Sequence, residues 1–233
     1  MQHELMAYPL FEHDVIQSIS LLPSQGFCNE NYLVQTDRKR YLLRKFKLEH
    51  NRKREFKVQK LAYKKQIAAK PWILDEEKGW MICDFIEGKH KEKLKRQDLA
   101  RLSMLLKKLH KIQIRETAID LKKSLTMQSK ELKQAFRTIE EYKVENVLCH
   151  NDLNPKNILF SDKKIKCIDW EFATVNDRYF DLASVCVEYD LNKKEEATFL
   201  ARYFGRKIQV NKDKLNAYKH IYKALCLQWF ASL

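Results

Sequence analysis

Residues 150–157 read H-N-D-L-N-P-K-N, and residues 168–171 read I-D-W-E. The polar stretches adjoin short apolar runs that predict β-strands at residues 147–149, 158–160 and 165–170. These strands would hold Asp152, Asn157 and Asp169 on short rigid segments, with a hairpin returning Asp169 to the loop. Phosphoryl transfer requires a carboxylate that accepts a hydroxyl proton and oxygen ligands for magnesium. The two stretches therefore predict a phosphoryl-transfer site.

The remaining patterns divide the chain into two parts. Short apolar runs between turn residues predict strands at residues 18–22, 31–35, 41–46, 72–74 and 80–85, with a helix at residues 49–66 among them. The later sequence predicts helices at residues 98–112, 129–142, 193–204 and 213–230. The fold class is therefore α+β, with a small antiparallel sheet in residues 1–86 and a mostly helical part in residues 87–233.

The tandem of H-x-D-x-x-x-x-N and I-D-W-E resembles the aminoglycoside phosphotransferase and choline kinase superfamily, which has the two-lobed protein-kinase-like fold. This resemblance implies ATP and Mg²⁺ as cofactors, Asp152 as the catalytic base and His150 as a brace for the loop. It also implies that Asn157 and Asp169 ligate magnesium. The alternative, that Asp152 and Asp169 are ordinary turn carboxylates, is disfavoured by their joint spacing with Asn157.

The resemblance extends to the predicted nucleotide-binding lobe. Residues 26–34, which include Gly26 and Asn29, look like the turn that covers the ATP phosphates in the family. An ordinary hairpin is the alternative for this segment alone. In residues 41–46, Arg44 matches the basic residue that contacts the α- and β-phosphates, and strand alternation would turn it away from the face shared by residues 41 and 43.

Two further assignments complete the predicted nucleotide site. Glu55, on the helix that follows, would form an ion pair with Arg44, and Glu49 is a rival for this role. Residues 81–88 resemble the segment whose backbone binds adenine in the family, which places Asp84 and Phe85 at the nucleotide.

The acceptor is predicted from residues 176–189, which look most like bacterial choline and thiamine kinases. Both kinds of enzyme bind a quaternary nitrogen, which aromatic faces and carboxylates stabilise. An aromatic stripe on the last predicted helix offers Tyr222 and Trp229, and Glu171 and Glu188 offer negative charge. A stripe at helical spacing is also typical of a core, so that alternative stays open.

Two supporting residues follow from the same comparison. His110, in an apolar helix, is expected to be a packed structural histidine, and Asp181 is expected to hydrogen-bond the catalytic loop from below. Neither residue is predicted to take part in the chemistry.

Composition narrows the possible partners. The net charge is +14, but the lysines are interleaved with leucines at helical spacing, so we expect no nucleic-acid partner. The six cysteines have no C-x-x-C spacing, and no apolar run approaches membrane-spanning length, which together predict a cytoplasmic protein without membrane insertion.

The sequence thus predicts an ATP-dependent kinase that phosphorylates a small hydroxyl compound, choline first. Thiamine or ethanolamine, an aminoglycoside, and a catalytically silent kinase-like binding protein are the alternatives, in that order. A polycationic aminoglycoside needs a broad acidic pocket, which a chain with a net charge of +14 is poorly equipped to supply. The oligomeric state is left open.

Overall fold

The computed structural model describes residues 1–23, 25, 29–48, 50–126, 129–162, 164–205 and 210–231. The chain divides into two compact units, Met1–Glu87 and Gly88–Leu233. The division lies one residue beyond the predicted boundary.

The first unit contains a five-stranded antiparallel sheet in the order β1-β2-β3-β5-β4. The strands are β1 (Ile16–Leu21), β2 (Asn29–Thr36), β3 (Arg40–Phe46), β4 (Pro71–Asp75) and β5 (Trp80–Asp84). Helix α2 (Arg52–Lys64) lies between β3 and β4 in the chain and begins after Asn51, whose side chain accepts a hydrogen bond from the N–H of Arg54. This unit follows the predicted pattern of strands and one helix.

The amino-terminal segment packs against one face of this sheet, which the sequence did not predict. It comprises helix α1 (Gln2–Met6) and a short 3-10 helix, Pro9–Phe11. Leu5 and Phe11 are fully buried and join a cluster that includes Tyr41 and Leu43. The rings of Phe11 and Tyr41 meet edge to face with centroids 5.0 Å apart. Tyr41 and Leu43 therefore share the covered face, as strand alternation predicted.

The second unit is mostly helical and carries two small antiparallel sheets. One pairs β6 (Asn146–Cys149) with β9 (Thr174–Asp177), and the other pairs β7 (Ile158–Phe160) with β8 (Ile165–Cys167). The helices are α3 (Arg96–Leu109), α4 (Leu121–Ser124), α5 (Lys130–Glu140), α6 (Arg178–Glu188), α7 (Lys193–Phe204) and α8 (Lys212–Ala231).

Three of the differences from the prediction have a clear physical reason. Helix α6 was missed because its residues from Tyr179 to Cys186 are all buried, so it lacks the polar face that makes a helix recognisable. Strand β9 was missed because its polar residues Asn176 and Asp177 are buried. The strand predicted at residues 165–170 ends at Cys167, since Asp169 adopts a left-handed φ of 61°.

Four cysteines are buried in the described residues: Cys83, Cys149, Cys167 and Cys186. None of them forms a disulfide. Burial raises the pKa of Cys83 to about 11 and that of Cys186 to about 12. These thiols stay protonated at neutral pH and behave as small apolar side chains.

None of the helices in the described parts of the chain combines the length and the apolar character needed to cross a bilayer.

The amino-terminal segment should stabilise the first unit. Phe11 is 0% exposed, so Phe11→Ala should lower the free energy of unfolding of this unit by about 3–5 kcal/mol. Denaturant titration followed by tryptophan fluorescence would measure the change. Met6→Ala is the matched control, because Met6 belongs to the same segment and is 43% exposed. Equal, small effects of the two substitutions would contradict the packing role.

Candidate active site

The loop after β6 is held from below by one carboxylate. The backbone N–H groups of His150 and Asn151 donate to the two oxygens of Asp181, each at 2.9 Å. Asp181 lies on α6 and is fully buried. Asn151 adopts a left-handed φ of 65°, which turns the chain sharply at this point. The predicted contact of Asp181 with the loop is therefore confirmed.

His110 extends this support to two further helices. Its Nε2 lies 3.0 Å from Asp181 Oδ2, and its Nδ1 lies 2.5 Å from the hydroxyl of Tyr203 on α7. Since a carboxylate only accepts, Nε2–H donates to Asp181 and the Tyr203 hydroxyl donates to Nδ1. His110 is a packed structural histidine, as predicted.

Cys149 completes a compact group with His110 and Asp181 that has the spacing of a metal site. Both oxygens of Asp181 already accept backbone hydrogen bonds. Burial raises the pKa of the Cys149 thiol well above its ordinary value, so the thiolate that a metal needs is disfavoured. This group is better explained as loop support than as a metal centre.

Asp152 is oriented by two amides from the same loop. Its Oδ1 accepts from Asn154 Nδ2 at 2.8 Å, and its Oδ2 accepts from Asn157 Nδ2 at 2.6 Å. Burial raises the pKa of Asp152, and the charge of Asp169 raises it further, while His150 and the two amides act in the opposite direction. Asp152 and Asp169 are therefore close enough for their charges to interact.

His150 connects the loop to the segment that carries Asp169. Its Nε2–H donates to the carbonyl of Ile168 at 3.0 Å, and its ring packs against Trp170 with centroids 4.7 Å apart. The N–H of Ile168 donates to the carbonyl of Asn157 at 3.0 Å. These contacts bring the two polar stretches of the sequence together and give His150 the bracing position that was predicted.

The donor set fits a magnesium ion. The amide nitrogen of Asn157 is committed to Asp152, so its oxygen is the atom that it could offer to a cation. Asp169 supplies a carboxylate, and its charge raises the pKa of Asp152. A hard divalent cation between such oxygens would relieve this repulsion.

In the first unit, the predicted ion pair between Arg44 and Glu55 is present. Arg44 Nη1 lies 2.5 Å from Glu55 Oε1, and both side chains are buried. The rival partner Glu49 and the predicted phosphate-turn residue Gly26 lie outside the described residues. Asn29 begins β2, is 2% exposed and has a side-chain oxygen without a hydrogen-bond partner in the described structure. Its contact with nucleotide stays a prediction.

Asp84 ends β5, and Phe85 follows it; most of their polar groups already have hydrogen-bond partners. The Asp84 carboxylate accepts from Trp72 Nε1 at 2.7 Å and from Lys39 at 3.1 Å. The N–H groups of Asp84 and Phe85 donate to the carbonyls of Lys70 and Arg40. The predicted adenine contact would therefore have to use other backbone groups of this segment.

Glu188 and Tyr222 form a direct contact on the predicted acceptor side. The Tyr222 hydroxyl donates to Glu188 Oε1 at 2.8 Å. Burial raises the pKa of Glu188, and the negative charge of Asp152 also raises it, which places the two carboxylates within electrostatic reach of each other. The ring of Tyr222 packs on Phe180 at 5.6 Å and is 3% exposed, so the core alternative is right for this ring.

Cys226, one helical turn beyond Tyr222, was not among the site residues predicted from the sequence. Burial raises the pKa of this half-buried thiol, and Glu188 and Asp152 raise it further. Glu171 is buried after Trp170, and Trp229 packs against Phe230 on the last turn of α8 with ring centroids 5.1 Å apart. Substrate contacts by Glu171 and Trp229 stay predictions.

The comparison with known families agrees with this arrangement. A model of the phosphotransferase enzyme family matches residues 21–218, which is most of the chain. The chain belongs to this family. Within the phosphotransferase enzyme family, a similar protein is LicA of Haemophilus influenzae, 33% identical over 108 residues. That alignment covers 42% of this chain and 40% of LicA, less than two thirds of the relative's length.

Solved structures show the fold of this phosphotransferase family member. The choline kinase LicA from Streptococcus pneumoniae superposes with a TM-score of 0.78 at 22% identity, covering 93% of this chain and 85% of that chain. A structure of LicA in complex with AMP superposes with a TM-score of 0.77 at 22% identity, covering 97% and 87%. The predicted kinase-like α+β fold is confirmed.

The raised pKa of Glu188 predicts a pH effect on stability. Because the folded-state pKa lies above the unfolded value, this carboxyl stabilises the fold at acid pH, and that contribution is lost as the pH rises through the raised pKa. Glu188→Gln keeps an acceptor for Tyr222 but cannot ionise. The melting temperature of Glu188→Gln relative to wild type should therefore increase as the pH rises from the unfolded-state pKa of Glu188 through its raised folded-state pKa.

Melting temperatures measured from acid to neutral pH test this expectation. The hydrogen bond from Tyr222 lowers the pKa of Glu188, so Tyr222→Phe should move the wild-type decline to higher pH. Parallel plots of melting temperature against pH for wild type and Glu188→Gln would contradict this expectation, because they would show that the pKa of Glu188 is the same in the folded and unfolded states.

Proposed function

We propose that this phosphotransferase family member is an ATP- and magnesium-dependent kinase that phosphorylates the hydroxyl group of a small cationic alcohol, choline first. The observation that carries the proposal is Asp152, whose carboxylate is oriented by Asn154 and Asn157 and lies within electrostatic reach of Asp169 and Glu188. The loop that carries Asp152 is thus associated with a base, with oxygen ligands for a metal, and with a negative charge for a cationic acceptor.

Asp152 would act as the base. The acceptor hydroxyl oxygen forms a bond to the γ-phosphorus of ATP, the bond from this phosphorus to the bridging oxygen breaks, and the hydroxyl proton passes to Asp152. A raised pKa suits this role, since a proton acceptor works best when its pKa approaches the working pH. Magnesium, when bound, supplies neutralisation of the phosphate charge, and Asn157 and Asp169 would hold it.

Arg44 would contact the phosphates of the nucleotide in this proposal. A buried guanidinium held by Glu55 is oriented in advance and offers several N–H donors to phosphate oxygens. Gly26, Asn29 and the backbone near Phe85 complete the proposed site. The AMP complex of the structurally similar LicA supports an adenine nucleotide as the donor.

The acceptor is proposed to be choline because of charge and similarity. A quaternary ammonium group donates no hydrogen bond, so carboxylates and aromatic faces must recognise it. Glu188 supplies a partly buried carboxylate near Asp152, and Trp229 is the proposed aromatic contact. The choline kinase named among the similar structures supports the same acceptor. The buried, unpaired thiols support a cytoplasmic location.

The base assignment predicts separable effects on turnover and binding. Asp152→Ala should lower kcat by about 100-fold or more, because the proton acceptor is lost, while ADP affinity changes little. Steady-state kinetics and calorimetric titration of ADP with magnesium measure the two quantities. Asn154→Ala is a milder control, since it removes one orienting amide and leaves the carboxylate. Near-normal turnover of a folded Asp152→Ala variant would contradict the assignment.

The acceptor assignment predicts selectivity for positive charge. Wild type should consume ATP with choline much faster than with its uncharged carbon isostere, in which a tert-butyl group replaces trimethylammonium. Glu188→Gln should raise the KM for choline by roughly tenfold and leave the KM for the isostere and for ATP nearly unchanged. The same assay with ethanolamine, thiamine and an aminoglycoside ranks the alternatives. Turnover with none of these compounds would reject the proposed substrate class.

A further inference from the structure

Glu55 binds two guanidinium groups, and the second belongs to Arg52. Arg44 Nη1 lies 2.5 Å from Glu55 Oε1, and Arg52 Nη1 lies 2.7 Å from Glu55 Oε2. The side chain of Glu55 is 0% exposed and that of Arg52 is 7% exposed. Each carboxylate oxygen thus has its own guanidinium, so the position of Glu55 is fixed from two directions.

Arg52 is an unfavourable choice on local grounds. It is the first residue of α2, where the partial positive charge of the helix terminus repels a cation. It is also buried, which adds the cost of removing a charge from water. An arginine that is unfavourable both at a helix N-terminus and in a buried position is expected where a functional site requires its charge or its hydrogen bonds.

Other contacts hold Arg52 in place. Its Nη2 donates to the carbonyl of Leu48 at 2.9 Å, and its guanidinium lies 4.0 Å from the centre of the Phe46 ring. Phe46 ends β3, the strand that carries Arg44. Arg52 therefore connects the end of this strand, the start of α2 and Glu55 in one rigid arrangement.

We propose that Arg52 is a positioning residue of the nucleotide site: it fixes Glu55, and through Glu55 it fixes the guanidinium that Arg44 presents to the nucleotide phosphates. This inference rests on the proposed function.

Calorimetric titration of ADP with magnesium is the test, because it needs no acceptor. Arg52→Gln should weaken ADP binding by about tenfold, the loss expected for a charged hydrogen-bonded contact. Arg52→Lys keeps the charge but cannot reach Glu55 and Leu48 with a fork of donors, so its loss should be intermediate. Equal ADP affinity of wild type and both variants would overturn the inference.

Two controls separate positioning from simple destabilisation. Lys53→Gln removes a charge from the same turn, but Lys53 is 77% exposed and pairs only at the surface with Glu76, so ADP affinity should not change. Asn51→Ala removes the cap of α2 and should lower the melting temperature without weakening ADP binding. If Asn51→Ala weakens ADP binding as much as Arg52→Gln, the role is structural and the inference is wrong.

A double-mutant cycle tests the route through Glu55. In a Glu55→Gln background, Arg52→Gln should have much less effect on ADP affinity than in wild type, since the shared carboxylate is already lost. Fully additive losses would overturn the proposed route. Absence of ADP binding to folded wild type would reject the proposed function itself, whereas wild-type binding with unchanged variants would reject only the role of Arg52.

Discussion

The convergence of two backbone N–H groups on the buried carboxylate of Asp181 is the contact on which the candidate site depends. A buried carboxylate is tolerated only when its oxygens are satisfied, and His150, Asn151 and His110 satisfy them. The shape of the loop therefore depends on the packing of α6, which carries Asp181. The loop that carries Asp152 is held by residues distant in sequence, so the geometry of the proposed base depends on the folded unit.

The proposal draws its phosphate-binding cation from the first unit and its carboxylates from the second unit. In the first unit, the buried guanidinium of Arg44, held by Glu55, is the proposed contact for a polyanionic nucleotide. In the second unit, the charge of Asp169 raises the pKa of Asp152, and the charge of Asp152 raises the pKa of Glu188, a cluster of carboxylates suited to a metal ion and a cationic acceptor. The net charge of +14 does not reveal this distribution, because it sums the charges of the whole chain.

Local signals were enough to predict the strands of the first unit and the polar loop, and the family resemblance predicted the Arg44–Glu55 pair. The unpredicted parts depend on tertiary environment. Helix α6 is buried on all sides and has no amphipathic pattern, and the sequence gives no sign that residues 1–11 cover a sheet face. Arg52 reads as an ordinary surface arginine until its burial is known. Only the folded environment distinguishes the ring of Tyr222, which is core, from its hydroxyl, which contacts Glu188.

The buried thiols give the molecule internal reporters of local opening. Cys83 lies in the sheet of the first unit, and Cys186 lies on α6 in the second. Their raised pKa values and burial make them slow to react with alkylating reagents while the surrounding structure is closed. The rate at which each cysteine is alkylated therefore measures how often the structure around it opens. Local opening of the five-stranded sheet and of α6 can thus be followed separately without introducing a probe.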